Sequence, residues 1–164
     1  MSFEITNDLI HMMLIEYILS IPNGFELRSL SKIDAIKMNS VWPHAHESSQ
    51  QFLELLIEVN PSVGLYNDNG ELVAWSVDLE VAALGALQVD ANYLRKGFGS
   101  IVAKGLSKKI AIERDHDITA HIILANANSL SMFQKIGFKE IDSNYWIGIE
   151  ETKMKISNTG SQTV

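Results

Sequence analysis

Between Leu84 and Ile110 the chain passes without a break from an apolar strand-like stretch, Leu84 to Val89, through a glycine loop at Gly97 to Gly99. It then enters a segment whose Val102, Leu106 and Ile110 recur at helical spacing. Glycines in such a loop let backbone N–H groups approach an anion closely, and the start of the following helix adds a favourable dipole. A phosphate site is the functional reading of this segment. It is not a dinucleotide fingerprint, because the third glycine position holds Val102, and it is not a P-loop, because no Gly-Lys-Ser/Thr follows. A glycine pair by itself reads more readily as a plain strand-to-helix turn.

The rest of the chain supplies the context. After Asn7, the residues Ile10, Met13, Leu14, Tyr17, Ile18 and Ile21 keep the period of an amphipathic helix, closed by Pro22, Asn23 and Gly24. Phe25 to Leu30 reads as a short strand. Ser31 can cap a helix toward Val41, with Ile33 and Ile36 on one side, and Phe52, Leu55, Leu56 and Val59 mark another helix ended by Asn60-Pro61. Val63 to Tyr66 and Leu72 to Val77 flank Asn67-Asp68-Asn69-Gly70, whose last pair suits the positive φ angles of a hairpin turn. Ile118 to Leu124 is a strand-length apolar run, and Asn126 to Ile136 is a short helix that Gly137 can close. Phe138 to Ile141 and Tyr145 to Ile149 complete the strands. A hairpin meander joined to strand–helix crossovers predicts a mixed sheet covered by helices.

At 164 residues the chain has the length of one domain, on the scale of roughly 100 to 200 residues per domain. It contains no cysteine, which removes disulfides, thiolate zinc sites and a cysteine nucleophile. Glu4 and Asp8 stand where a secretory leader would carry basic residues, and His11 and Glu16 interrupt the first apolar run. Neither a signal peptide nor a membrane span is expected, which points to the cytoplasm and leaves a mitochondrial location open. The net charge of −7 is unevenly divided: residues 1–90 carry −10 and residues 91–164 carry +3. An acidic chain with one basic stretch suits a small anionic ligand better than nucleic acid.

A second motif, Asn126-Ala127-Asn128-Ser129 followed by Phe133-Gln134-Lys135-Ile136-Gly137-Phe138, stands in order and at suitable separation behind the glycine loop. Together the two resemble the GNAT superfamily of acyl-CoA-dependent N-acyltransferases over about residues 25–150. The details Trp42-Pro43, Asn60 to Tyr66, Leu72 to Trp75 and Tyr145-Trp146 look like its glycine N-acyltransferase-like branch, whose members often carry a second related domain before this one.

The resemblance implies an α/β (α+β) fold with a mixed, mostly antiparallel central sheet flanked by helices. An extra N-terminal helix (1–22) would precede a single acyl-CoA-binding domain (23–151), and a flexible tail (152–164) would follow. It implies acetyl-CoA or another acyl-CoA as co-substrate and no metal. Backbone groups of Leu87, Gln88 and Val89 would pair with the pantetheine arm, and the loop Leu94, Arg95, Lys96, Gly97, Phe98, Gly99 and Ser100 would cradle the pyrophosphate. Asn126, Ser129 and Phe133 would complete the cofactor side. Lys104, Lys108 or Lys109 are candidates for the 3'-phosphate. Trp42, His44, Trp75 and Trp146 are the acceptor-side candidates.

The chain departs from the family pattern in ways that bear on mechanism. Phe133 stands where most members place a tyrosine that protonates the leaving thiolate, and Leu94 stands at the first Arg/Gln position, with Arg95 next to it. Ala83 occupies the place of the glutamate base of glycine N-acyltransferases, leaving Glu80 and His121 as catalytic candidates, with Asp78 the other nearby carboxylate. His44-Ala45-His46-Glu47 has metal-ligand residue types, but the preferred reading is a polar loop, which needs no metal to explain it. The expected activity is transfer of an acyl group to a small-molecule or peptide amine, glycine being one candidate, by direct attack in a ternary complex. The alternative is a weakly active or inactive CoA-binding module acting through partner contacts. A second related domain or a dimer fits either reading.

Overall fold

The computed structural model describes residues 1–6, 20–43, 45–80 and 83–143, with Glu80 described by its backbone alone. Among the described residues seven strands form one sheet: β1 (Ser2–Ile5), β2 (Phe25–Arg28), β3 (Ser62–Asn67), β4 (Leu72–Glu80), β5 (Ala83–Val89), β6 (Ile118–His121) and β7 (Lys139–Asp142). Their spatial order is β2-β3-β4-β5-β6-β1-β7, and every neighbouring pair is antiparallel except β5 and β6. Among the described residues four helices cover it: α1 (Asp34–Val41), α2 (Ser49–Val59), α3 (Phe98–Arg114) and α4 (Ala127–Lys135). The mixed, mostly antiparallel sheet flanked by helices is as the sequence implied.

Each face of the sheet buries its own core. On one face, Val102, Leu106 and Ile110 of α3 and Phe133 of α4 pack on Val63, Leu65, Val73 and Ile118. The predicted face of α3 is thus correct, and all three of its spaced residues are fully buried. On the other face, Ala35 and Met38 of α1 with Leu53, Leu56 and Ile57 of α2 cover Tyr66, Leu72, Trp75 and Val77. Here the spaced residues divide: Leu56 is buried, whereas Ile33, Ile36, Phe52, Leu55 and Val59 are exposed, because the pattern alone does not say which half of a helix meets the sheet.

Three further expectations change. Ser31 does not cap α1 by accepting a bond; its N–H and Oγ both donate to Asp34 Oδ2, at 2.8 and 2.7 Å, and the helix starts at Asp34. In the β3–β4 hairpin only Gly70 has a positive φ, +76°, while Asn67 Oδ1 accepts the N–H groups of Asn69 and Glu71. Residues 2–5, assigned to an N-terminal helix, form the strand β1, paired antiparallel on both sides, with Phe3 and Ile5 in the core. Alternation over four residues is too short a signal to outweigh the helical period that follows it. The helix read after Asn7 falls almost wholly outside the described residues, and the strand Tyr145 to Ile149 and the tail lie outside them altogether.

Candidate functional site

The site begins where the two parallel strands part. β5 pairs with β6 only at Ala83↔Thr119 and Leu84↔Ala120. Beyond that point β5 stays on β4 as far as Val89, and β6 stays on β1, through His121↔Ser2 and a 2.9 Å bond from Ile122 N to Met1 O. The cause is a bulge: one extra β5 residue lies between the pairs Val77↔Gly85 and Trp75↔Gln88, and Ala86 takes a φ of +46°. Bulges bend a strand away from its neighbour and end its pairing. Among the described strands, none pairs with the β6-facing edge of β5 from Gly85 to Val89. That edge offers backbone donors and acceptors to an extended, amide-bearing ligand, which can add to it as a strand does.

At the upper end of this edge the chain enters the glycine loop. Asp90 starts a short helical turn, Ala91–Tyr93, by accepting the Asn92 N–H at 3.0 Å. Lys37 of α1 reaches across to Asp90 Oδ2 at 2.7 Å and also donates to Leu72 O at 2.7 Å. The Lys37 hydrogen bond, then that of the Asn92 N–H, holds the Asp90 carboxyl below the usual carboxylate range. Lys37 therefore ties α1 to the root of the loop. It carries no local sequence signal, since its partner is 53 positions away.

Arg95 and Gly97 both have positive φ, +61° and +80°, and Gly97 is the uncapped residue before α3. Successive amides in such conformations can form an anion-binding concavity, and the 17-residue helix that follows leaves its first N–H groups without intrahelical partners. A Cβ on Gly97 would find no atom within 4 Å, so the cradle is open. At Gly99 a Cβ would lie 3.1 Å from Met132 Sδ, so this glycine lets α3 approach α4. Phe98 is buried, 4.7 Å from Phe25 and 6.0 Å from Tyr93 between ring centres, and anchors the loop from below. Lys96 stands over the Tyr93 ring at 4.9 Å; Leu94 and Arg95 are exposed and Ser100 is half-buried on the first turn. The loop is small, exposed and carries the cations Arg95 and Lys96 directly before a helix N-terminus.

The other predicted residues divide. Asn126 Oδ1 accepts the Ser129 N–H at 3.1 Å, so this pair caps α4. Phe133 is buried in the core against Phe138, with ring centres 5.0 Å apart. Trp75 is 1% exposed and equally a core residue, although Trp is often a pocket wall. Lys109 lies far down α3, bonded to Ser29 Oγ at 2.8 Å and Ser62 O at 3.4 Å, away from the loop. Trp42 is half-buried and stacks on Phe52, ring centres 6.4 Å apart. His44, Trp146 and the Glu80 side chain fall outside the described residues.

His121 is exposed at the first β6 position past the β5 pairing, with Nδ1 3.1 Å from Ser2 Oγ. Asp78, the other carboxylate near the cleft, is fully buried; it accepts the Ala83 N–H at 3.1 Å and meets Arg114 Nη1 at 3.4 Å. Among the described residues, no group of three His, Asp or Glu side chains is placed to hold a metal ion, and no helix is long and apolar enough to cross a membrane.

A mostly antiparallel sheet whose two parallel strands part beside an open helix N-terminus is the fold of the GNAT N-acetyltransferases. Within it, the FR47-like protein family matches residues 62–147, slightly more than half of the chain, and the chain belongs to that family. Among solved structures it is similar to a Drosophila protein, with 29% identity and a TM-score of 0.79 over 85% of this chain and 46% of that one. It is also similar to a tandem GNAT protein from the clavulanic acid biosynthesis pathway, with 12% identity and a TM-score of 0.66 over 84% of this chain and 49% of the other. The aminoglycoside 6'-N-acetyltransferase AAC(6')-Ih from Acinetobacter baumannii is 17% identical, with a TM-score of 0.59 over 77% of this chain and 99% of that one. The chain thus spans under half the length of the first two. No curated protein sequence matches it.

Proposed function

We propose that the chain is an acyl-CoA-dependent N-acyltransferase, of the acetyl-transferring kind, acting on an amine by direct attack in a ternary complex. The observation that carries this reading is the continuity of the unpaired β5 edge with the amide-lined loop before α3. That continuity matches a ligand with an amide-bearing arm joined to a diphosphate. In this reading Leu87 to Val89 hold the arm as an added strand, and the Arg95 to Ser100 amides hold the diphosphate. A β5 N–H beside the Ala86 bulge polarises the thioester carbonyl and stabilises the negative charge that develops on its oxygen.

An ammonium acceptor must first lose a proton, for which Glu80 or His121 is the proposed base, directly or through water. The neutral nitrogen then attacks the carbonyl carbon, the C–S bond breaks, and the thiolate departs. With Phe133 in the core there is no phenol to protonate it, but a thiol of pKa about 8.5 leaves as its anion. The glycine N-acyltransferase-like branch is proposed from Asn60 to Tyr66 and Leu72 to Trp75, and pairing with a related domain or second copy from the similarity to one tandem GNAT protein. A second reading, a CoA-binding module with little turnover, is favoured by the buried Asp78–Arg114 pair, which withdraws one carboxylate from the candidate bases.

Thermal unfolding with and without acetyl-CoA tests the binding half. At ligand 100 times its dissociation constant the stabilisation is about 2.7 kcal/mol, a rise of roughly 5 to 10 °C for a domain of this size. CoA should reproduce the rise and Gly97→Glu should abolish it; no rise at millimolar ligand rejects the reading. Release of free thiol in the presence of amines then separates enzyme from module, and a chain without cysteine contributes no background to that assay.

A further inference from the structure

The proposed acceptor side of the cleft has a chemical character of its own. Gln88, on the α1 and α2 face of β5, donates from Nε2 to Val41 O at 3.2 Å and so draws the end of α1 over the strand that carries the open edge. The next residue, Trp42, packs against the same core cluster as Leu79 of β4 and Ala86, the bulge residue itself. Phe52 stacks on Trp42 nearly parallel, at 13°, and is 46% exposed. This is a two-ring slab next to the end of α1 that Gln88 of β5 holds. Along the Phe52 side of α2 the helical period places Leu55 and Val59, both exposed. The polar pair of that helix, Gln50 and Glu54, bonds together at 2.9 Å two residues either side of Phe52, which the helical period turns to the opposite side.

Resting on the acyltransferase reading, we infer that the acceptor is an amine carried on a flat, apolar body, an arylalkylamine or an amine with a comparable aromatic side group, and that Phe52 sets this preference. An exposed ring already held by a second ring offers contact area at little ordering cost. The sequence concealed Phe52 because its place in an apolar helical stripe reads as core.

The test measures thiol release at a fixed, saturating acetyl-CoA concentration with 2-phenylethylamine, propylamine and spermidine. The expected kcat/KM for 2-phenylethylamine exceeds the other two by about tenfold, the scale on which a shaped apolar pocket discriminates. In Phe52→Ser the advantage should fall to about threefold or less with the KM for acetyl-CoA unchanged, and Phe52→Tyr should restore it. Retention of the acetyl-CoA thermal shift in each variant shows that it is folded. A preference for propylamine or spermidine, or an aromatic preference that survives Phe52→Ser, overturns the inference alone. Absence of the acetyl-CoA shift, or of thiol release with every amine, overturns the proposed activity and the inference with it.

Discussion

Two charged side chains that no local pattern marks hold the cleft at its two ends. Arg114 binds Asp78 at the lower end and also donates to Asn60 Oδ1 at 2.9 Å, joining α3 to β4 and to the turn before β3. Because Asp78 is fully buried, Arg114→Met leaves a carboxylate in the core without its cation; the expected loss is about 3 kcal/mol, read by urea unfolding, and Asp78→Asn in the same background should recover part of it. Lys37 does the corresponding work at the upper end, where its partner is only partly shielded. Lys37→Met should cost about 1 kcal/mol after allowance for solvent screening. The Asp90 carboxyl is depressed, so its contribution is present above the ordinary carboxyl value of about 3.9 and is lost as the pH falls through its lower folded value. The difference in Tm between wild type and Lys37→Met should therefore be level from about pH 5 to 8 and shrink below about pH 4.

For the elements, α2 is the instructive case. Its stretch from Phe52 to Val59 is apolar enough that two opposite stripes both satisfy a helical period, and the sheet selects Leu53, Leu56 and Ile57. Leu53→Ala should cost about 2 to 5 kcal/mol, whereas Leu55→Ala should stay within about 0.5 kcal/mol, both read from denaturant midpoints at constant m. Equal costs would contradict the orientation of the helix. By contrast α3 showed its buried face in the sequence, since Val102, Leu106 and Ile110 alternate there with Lys104, Lys108 and Lys109, and only one stripe is apolar.

At the scale of the molecule, β1 joins regions of the chain that are more than a hundred residues apart, pairing with residues 118–121 on one side and 139–142 on the other. Its Phe3 is fully buried in the core that α3 and α4 share. Phe3→Ala should lower stability by about 3 to 5 kcal/mol, and because pairings of such separation form late, the loss should show mainly as faster unfolding in stopped-flow kinetics.

The sequence by itself determined the strand, glycine loop and helix from Leu84 to Ile110, the β3–β4 hairpin and the mixed layered class. In each of these the deciding physics is local: side-chain period, a residue that tolerates positive φ, a polar turn between apolar runs. The glycine loop of the candidate site was legible as a loop for the same reason. The tertiary structure alone decided that β1 enters the sheet, which sides α1 and α2 turn inward, and that Trp75 and Phe133 belong to the core. It also decided that Asp78 is tied to Arg114 and that Phe52 stands exposed beside Trp42. Those outcomes depend on which surface meets which after folding, and burial is a property of the pair of surfaces in contact rather than of the residue that is buried.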